Sequence, residues 1–447
     1  MAKRLPPAGL WIRAALGLAV AASLAGTAPP AGAQRLIPHS LFASKKKEAP
    51  PPPQVRATVQ PSFSVAVDAL GFSPPANAYI GARNSFVSLD FIGEDRLLFT
   101  FRIPGLIHRN EKARDADEEE RKIRALVLHL PDGAVQSEAL WTLHHRSRYL
   151  YPLGSGQFLL RDAASLQLVD SSLQLKPWLH FPGPVEWVEI DPSGNYLVTG
   201  SEEPPDQPAR QGDVGSPATA QASITTDAPA SDKRNLVLRV LRRSTGDVML
   251  VSHVNSVIHL PLNPEGYLEL LRGNGKDWAL NFDYFTGGHI IVGKIESVCM
   301  PLLNFLSPSE VLANTCGSSG DPALVALGLN GKRLWHNDSP SGGVWPLLVT
   351  NADGSRIARE TLLTGHAVSA MAPLESEDVK GQDVQIIDAA TGKMVLRAAA
   401  EPALDAGGNV AISPSGRRVA ILMDNNLQIF ELPPPAPLPD LDLHHDK

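Results

Sequence analysis

A chain of 447 residues has room for two or three average domains or for one large repeat architecture. It carries 40 Lys and Arg against 47 Asp and Glu, two Cys, 36 Gly and 39 Pro. That balance disfavours a coiled coil, a disulfide-packed miniprotein, a multi-cysteine zinc protein and a polyanion binder, and it leaves a turn-rich globular protein.

The N-terminus has the order of an export signal. Lys3, Arg4 and Arg13 supply positive charge, an apolar run follows from Ala14 to Ala25, and Ala31-Gly32-Ala33 precede Gln34. Cleavage between Ala33 and Gln34 is expected, with an uncleaved membrane anchor as the alternative. The apolar run has 12 residues, short of the ~20 that a spanning helix needs. No later stretch is long and apolar enough to span, so no membrane span is expected after signal removal. The expected location is periplasmic or extracellular. Residues 34–61, with Lys45-Lys46-Lys47 and Pro50 to Pro53, read as disordered, as does the proline-rich tail at 433–447. The folded body is expected at 62–432.

Within that body two turns alternate. The first is Asp191-Pro192-Ser193-Gly194, repeated as Ser413-Pro414-Ser415-Gly416, with Asn263 to Gly266 and Asn351 to Gly354 in like places. Asp, Ser or Asn accepts local backbone hydrogen bonds, Pro presets φ and Gly takes the positive-φ position. The second turn recurs as Leu130 to Gly133, Ser244 to Asp247, Tyr284 to Gly288, Leu329 to Lys332 and Ala390 to Lys393. Two hairpin turns in alternation define a four-stranded meander as the unit.

Seven units follow: Phe86 to Leu143, Tyr149 to Phe181, Val185 to Val254, Val257 to Ile295, Val298 to Asp338, Val344 to Ala400, and Asn409 to Leu432. Six or eight are the alternatives, because the second unit is degenerate. The seventh has room for three strands. The orphan strand Phe63 to Leu70 completes it, which closes a ring and removes exposed sheet edges. The first unit carries a charged insertion, Asn110 to Lys122. The third carries a long one, Ser201 to Arg234, read as a disordered surface loop with a partner-binding or lid role as the alternative.

On these residues the chain resembles the WD-repeat, YVTN and Tol-type periplasmic β-propellers. The resemblance rests on the Asp/Ser-Pro-x-Gly turns at 191–194 and 413–416 and the Thr-Gly turns at 245–246, 286–287 and 391–392. No unit has the Gly-His…Trp-Asp pair of true WD repeats. The resemblance implies an all-β propeller of seven four-stranded blades, the last closed by the N-terminal strand. It implies little about activity, since propellers host binders and enzymes alike.

Cys299 and Cys316 flank the hairpin at Ser307-Pro308. With those two residues as the loop, the cysteines fall directly opposite each other, which predicts a disulfide in an oxidising compartment; two buried thiols are the alternative. Glu186, Glu189 and Asp191 are candidate paired carboxylates that read as solvated. His144-His145 point to opposite faces of a strand, and the C-terminal cluster Asp440, Asp442, His444, His445 and Asp446 reads as a solvated tail without an enclosing scaffold, with loose metal scavenging as the alternative. Gly273-Asn274-Gly275-Lys276 reads as a hairpin turn, not a phosphate cradle. Trp141 and Trp335 occupy equivalent places and read as inter-blade packing. Trp187 and Trp345 would border the channel if their strands are innermost. No catalytic residue, cofactor or metal is expected, and the acidic balance argues against nucleic acid. The expectation is a monomeric binding or scaffold module that meets a protein or small-molecule ligand through loops around the central channel. The rivals are a propeller hydrolase, lyase or quinone-dependent dehydrogenase with its site at the channel mouth, and a passive cell-envelope structural protein.

Overall fold

Strand β3 (Arg96–Arg102) shows how the sequence builds the molecule. Successive side chains on a strand point to opposite faces. Leu97, Phe99 and Phe101 enter one apolar cluster, while Leu98 enters the next. Both faces of the strand are buried, so it reads as an almost continuous apolar run. The computed structural model describes residues 55–74, 86–103, 120–144, 148–203, 235–254, 257–317, 322–338, 343–365 and 374–439. These belong to a compact unit, Pro51–Lys447. The signal, its cut at Ala33 and Gln34, most of the 201–234 insertion, His145, His444 and His445 lie outside the described residues.

The described strands form seven antiparallel sheets. Blade 1 is β2 (Val87–Phe91), β3, β4 (Arg121–His129) and β5 (Val135–Leu143). Blade 2 runs from β6 (Leu150–Gly154) through β7 (Gln157–Asp162) and β8 (Ser165–Val169) to β9 (Leu175–His180). Blade 3 runs from β10 (Val185–Ile190) through β11 (Tyr196–Glu202) and β12 (Leu236–Arg242) to β13 (Val248–Val254). Blade 4 holds β14 (Gly266–Arg272), β15 (Asp277–Tyr284) and β16 (His289–Glu296). Its innermost position is filled by an irregular segment that makes a single bridge, Leu262 to Tyr267. Blade 5 is β17 (Leu302–Ser307), β18 (Glu310–Cys316), β19 (Pro322–Gly328) and β20 (Arg333–Asp338). Blade 6 is β21 (Gly343–Thr350), β22 (Arg356–Thr364), β23 (Val379–Asp388) and β24 (Met394–Ala400). Blade 7 is β25 (Val410–Ile412), β26 (Arg418–Met423) and β27 (Asn426–Glu431), completed by β1 (Phe63–Ala66).

β1 pairs with β27 from Phe63↔Ile429 to Ala66↔Asn426, so the N-terminal strand does close the last blade. β25 touches β2 and β21, the first strands of blades 1 and 6, which makes the seven sheets a closed ring with first strands innermost. Seven apolar clusters fill the seven blade interfaces, one each. Between blades 7 and 1, Val65, Leu427 and Ile429 meet Leu97, Phe99 and Leu126. Phe72, just past β1, packs edge-on against Phe99 and Phe101 at 5.4 and 5.5 Å between ring centres. Each such buried apolar side chain contributes about 1.5–3 kcal/mol, so the closing strand is held by packing as well as by its ladder.

The first turn of a blade holds its own hairpin, and in blades 4 and 6 it also ties to the next blade. Asp191 Oδ1 accepts the amides of Asn195 and Tyr196 at 2.8 and 2.7 Å. Asn351 Oδ1 accepts the Arg356 amide at 2.8 Å, while its Nδ2 donates to Pro414 O of the next blade at 3.1 Å. Asn263 Nδ2 likewise donates to Pro308 O at 2.8 Å. The turn glycine is required twice over. Gly354 has φ +71°, and a Cβ there would stand 1.8 Å from Leu306 O of the preceding blade.

The chain flanking the ring is partly tied to it. In the expected disordered segment 34–61, the described residues include Thr58, whose amide donates to Arg397 O at 2.9 Å. In the expected disordered tail, Pro433 O accepts Arg356 Nη2 at 2.7 Å, the Ala436 amide donates to Asp388 at 3.0 Å, and Leu438 packs on the cluster between blades 5 and 6.

Antiparallel pairing gives the ring two unlike faces. First-to-second and third-to-fourth connections lie on one face, here called the turn face. Second-to-third connections and the links between blades lie on the other, the loop face. Within the ring, every segment beyond the described residues joins strands at the loop face. Among them are 104–119 between β3 and β4, 204–234 between β11 and β12, and 366–373 between β22 and β23.

Candidate functional site: the channel mouth

Ionisable side chains from three blades act on one another electrostatically across the ring. Asp90 lies on β2, the innermost strand of blade 1. Glu360 lies on β22 of blade 6. Arg148 immediately precedes β6 of blade 2, and its guanidinium is in electrostatic reach of both carboxyls. Blades 2 and 6 stand three places apart in a ring of seven, so a side chain that acts on both sides must project over the channel. Because Arg148 precedes a first strand, it stands at the loop face.

Burial pushes Glu360 up to about 8, against the opposing Arg148 charge and the hydrogen bond from Gln382 Nε2 at 2.8 Å. Glu360 is 1% exposed, and its Oε1 has no hydrogen-bond partner among the described residues. Gln382 also holds Asn409 and the Leu404 amide, which fixes Glu360 beside the link between blades 6 and 7. Asp90 is raised to about 6 by burial, opposed by the Ser88 hydroxyl at 2.8 Å and by Arg148. Two carboxyls that hold their protons to different pH therefore face one guanidinium.

A second polar link lies on the channel wall at blades 3 to 5. Glu189 accepts from His259 Nδ1 at 2.8 Å and from the Leu260 amide at 3.0 Å, and His259 Nε2 meets Leu303 O. Burial opposes charge on His259, but Glu189 and the Leu303 carbonyl outweigh it, so its pKa is raised. Glu189 is thus corrected from a solvated residue to one bonded across blades. Asp191 is also buried rather than solvated, and its carboxylate holds the turn. Glu186 accepts Arg161 Nη1 through its carbonyl at 2.6 Å.

Cys299 and Cys316 form a disulfide with Cα atoms 5.6 Å apart. The register differs from the expected one. Ser307 pairs with Glu310, so the loop is Pro308-Ser309, and a bulge shifts the ladder by one. Cys299 precedes β17 rather than lying on it. The bond therefore ties the incoming link from blade 4 to the end of β18, where the Val298 amide donates to Cys316 O at 3.1 Å. Gly273 to Lys276 is the β14–β15 hairpin, as expected. Trp141 and Trp335 are buried in inter-blade clusters, and Trp335 Nε1 donates to Ala389 O at 2.6 Å. Trp187 does not border the channel. It is buried between blades 3 and 4, its ring filling the space that a Cβ on Gly200 would need. The Trp345 side chain lies outside the described set. His144 Nδ1 meets Asp162 at 3.1 Å. Among the described residues no group of three His, Cys, Asp or Glu is placed to hold a metal ion.

On the turn face, a recess of about 170 Å³ is bounded by the first turns of blades 3 to 6, including Asp191, Ser193, Asn263, Ser307 and Asp353. Nearby, Glu310 at the start of β18 is fully buried and raised to about 7 by that burial, with neither oxygen partnered among the described residues. It shares a strand side with Leu312, which packs toward blade 6. Sequence reasoning missed Asp90, Arg148, Glu310 and Glu360. The signal that points to Glu360 is a charged residue midway along a strand that is otherwise buried on both faces.

Among the described residues no helix is long and apolar enough to cross a membrane. No family model matches the chain, and no curated protein matches it. Solved structures with a similar course include an acylaminoacyl peptidase of Pyrococcus horikoshii, at 9% identity and TM-score 0.44 over 75% of this chain and 48% of that one. The chain thus spans about half the length of that peptidase. The WD40 domain of Toxoplasma gondii coronin is 10% identical, TM-score 0.42, over 86% of this chain and 89% of that one. Kluyveromyces lactis Hsv2p is 13% identical, TM-score 0.35, over 64% and 75%.

Proposed function

We propose that the protein is an exported β-propeller that acts as a binding or scaffold module, meeting its ligand or partner on the loop face around the channel. One observation supports this most directly. The strand ends that the longer connections join lie at the face where the exposed Arg148 stands. Propellers recognise partners through loops presented by a rigid ring, and this face has both the connections and an exposed guanidinium. The test is capture from cell-envelope extracts with the full mature chain and with a chain lacking residues 204–234. Loss of a specific partner on deletion supports the reading; no specific partner for either chain overturns it. Fractionation of cells producing the chain tests export, and retention of the uncleaved chain in the cytoplasm would refute it.

A second reading is favoured by a specific observation. Asp90 and Glu360 retain protons to different pH, which is the pattern of a general acid and base pair. It ranks below binding because Glu360 Oε1 is sealed from solvent, where no substrate atom reaches it without a rearrangement. A bell-shaped pH–rate profile that collapses to one limb in Glu360→Gln would reverse that order.

A further inference from the structure

We infer that His259 is a proton-operated lock on the channel wall. With both ring nitrogens protonated it ties the innermost segment of blade 4 to blades 3 and 5, and on losing a proton it lets go of blade 5. The lock operates whatever the loop face binds.

Blade 4 needs such a tie. In the other six blades the innermost strand is laddered to the second, whereas here residues 257–262 make a single bridge, Leu262 to Tyr267. Backbone and turn bonds hold the turn-face end of the segment. Asn263 donates its amide to Gly266 O at 3.0 Å and its Nδ2 to Pro308 O at 2.8 Å, and Pro261 O accepts the Leu268 amide at 2.9 Å. Toward the loop face the ties are to other blades: His259 and Leu260 meet Glu189 of β10, and His259 meets Leu303 of β17. Val257, further along in that direction, is 50% exposed.

The two partners fix the state of the ring. His259 Nδ1 faces Glu189 Oε1 at 2.8 Å, and Nε2 faces the Leu303 carbonyl. Glu189 Oε2 accepts the Leu260 amide at 3.0 Å, so the carboxylate serves as an acceptor at both oxygens. A neutral imidazole carries one N–H and an imidazolium two, so only the imidazolium donates to both partners at once. Burial acts against that charge, but Glu189 and the Leu303 carbonyl overcome it and hold the pKa above the ordinary 6.5. Among the described residues no other charged group, on β10, β14 or β17, acts on the ring. When the proton leaves, the remaining N–H stays with the charged acceptor, Glu189, and the bare Nε2 lone pair faces the Leu303 carbonyl. The joint to blade 5 is then repulsive. The lock is closed below the ordinary histidine value and opens as pH rises through the raised one.

The experiment is a pH titration of the full mature chain with 15N-labelled histidine, read by NMR, beside hydrogen exchange read by mass spectrometry. His259, assigned through its proton contacts with Leu303, should carry protons on both ring nitrogens at pH 7 and titrate above 6.5. Through that titration, exchange in residues 257–260, corrected for the intrinsic rate, should rise roughly ten-fold, the contribution of one charge-assisted bond, while peptides from β3 stay unchanged. Glu189→Gln keeps an acceptor oxygen and removes the charge, so His259 should then titrate at or below 6.5 and exchange at 257–260 should no longer depend on pH. A single ring proton at pH 7, wild-type exchange that does not change through the titration, or an unshifted titration in a folded Glu189→Gln protein overturns the inference. If that variant does not fold, the two wild-type measurements decide.

Discussion

Replacing Glu360 by Gln should stabilise the protein, and by an amount that depends on pH. The folded state holds the Glu360 proton up to about pH 8, while the unfolded chain releases it near 4.5. Between those values the folded state binds a proton that the unfolded state does not, so the wild type loses stability as pH rises through the window. One pH unit of mismatch is worth about 1.4 kcal/mol. The loss is therefore about 3 kcal/mol at pH 7 and about 5 kcal/mol once pH exceeds the folded value, and it is absent below pH ~4.5. Gln has no proton to lose, and its carbonyl still accepts from Gln382. Thermal unfolding of both proteins across pH 4 to 9 is the assay. With an unfolding entropy of about 2.1 cal/mol/K per residue, a ring of about 370 residues gains roughly 4 °C at pH 7. The two transitions should converge at pH 4. A variant destabilised equally at every pH would refute the reasoning, because it would mean that Arg148 keeps Glu360 ionised in the fold.

Glu189→Gln should cost about 1 kcal/mol more at pH 5.5 than at pH 8.5, since stability from a raised His259 pKa is present below the ordinary histidine value and lost as pH rises through the folded one; equal cost at both pH values would count against the pair. Gly354→Ala should destabilise by several kcal/mol, whereas Gly275→Ala, with a similar φ of +67° but open space around it, should cost only about 1–2 kcal/mol. Comparable Tm shifts for the two would show that the close approach at Leu306 is unimportant. Alkylation without reductant should leave Cys299 and Cys316 unlabelled by intact mass, and the Cys299→Ser/Cys316→Ser double variant should lose about 2–4 kcal/mol for a separation of 17 residues. Truncating the chain through Ala66 should expose the β27 edge and part of the blade 7–1 cluster, giving an aggregating protein where truncation at residue 54 does not; light scattering separates the two.

The ring was legible because its instructions are local. Asp191, Asn351 and Gly354 sit in turns whose residue types are dictated within four positions, so the seven units and the closing strand could be read in order. Register was less secure. One bulge between Phe305 and Ser307 shifts the ladder, so Cys299 and Cys316 join although they are not directly opposite. Side-chain facing failed at Trp187, which strand alternation alone cannot assign to a channel or a blade interface. The channel mouth was invisible for a deeper reason. Asp90, Arg148 and Glu360 come from blades 1, 2 and 6 and come within electrostatic reach only because the ring closes. Glu189 and His259, 70 residues apart, are joined in the same way.

Closure by β1 also sets how the molecule bears load. Phe63, where β1 begins, lies opposite Ile429 near the end of β27, so both flanking chains leave the pair at the same end. Tension applied between them would peel the ladder open one bond after another instead of shearing all its bonds together. The ties of Thr58 to Arg397 and of Pro433 to Arg356 lie between that ladder and the pulling points. They would take the force first, and once they slip the short ladder and the packing of Val65, Val67 and Phe72 beside it keep the ring shut.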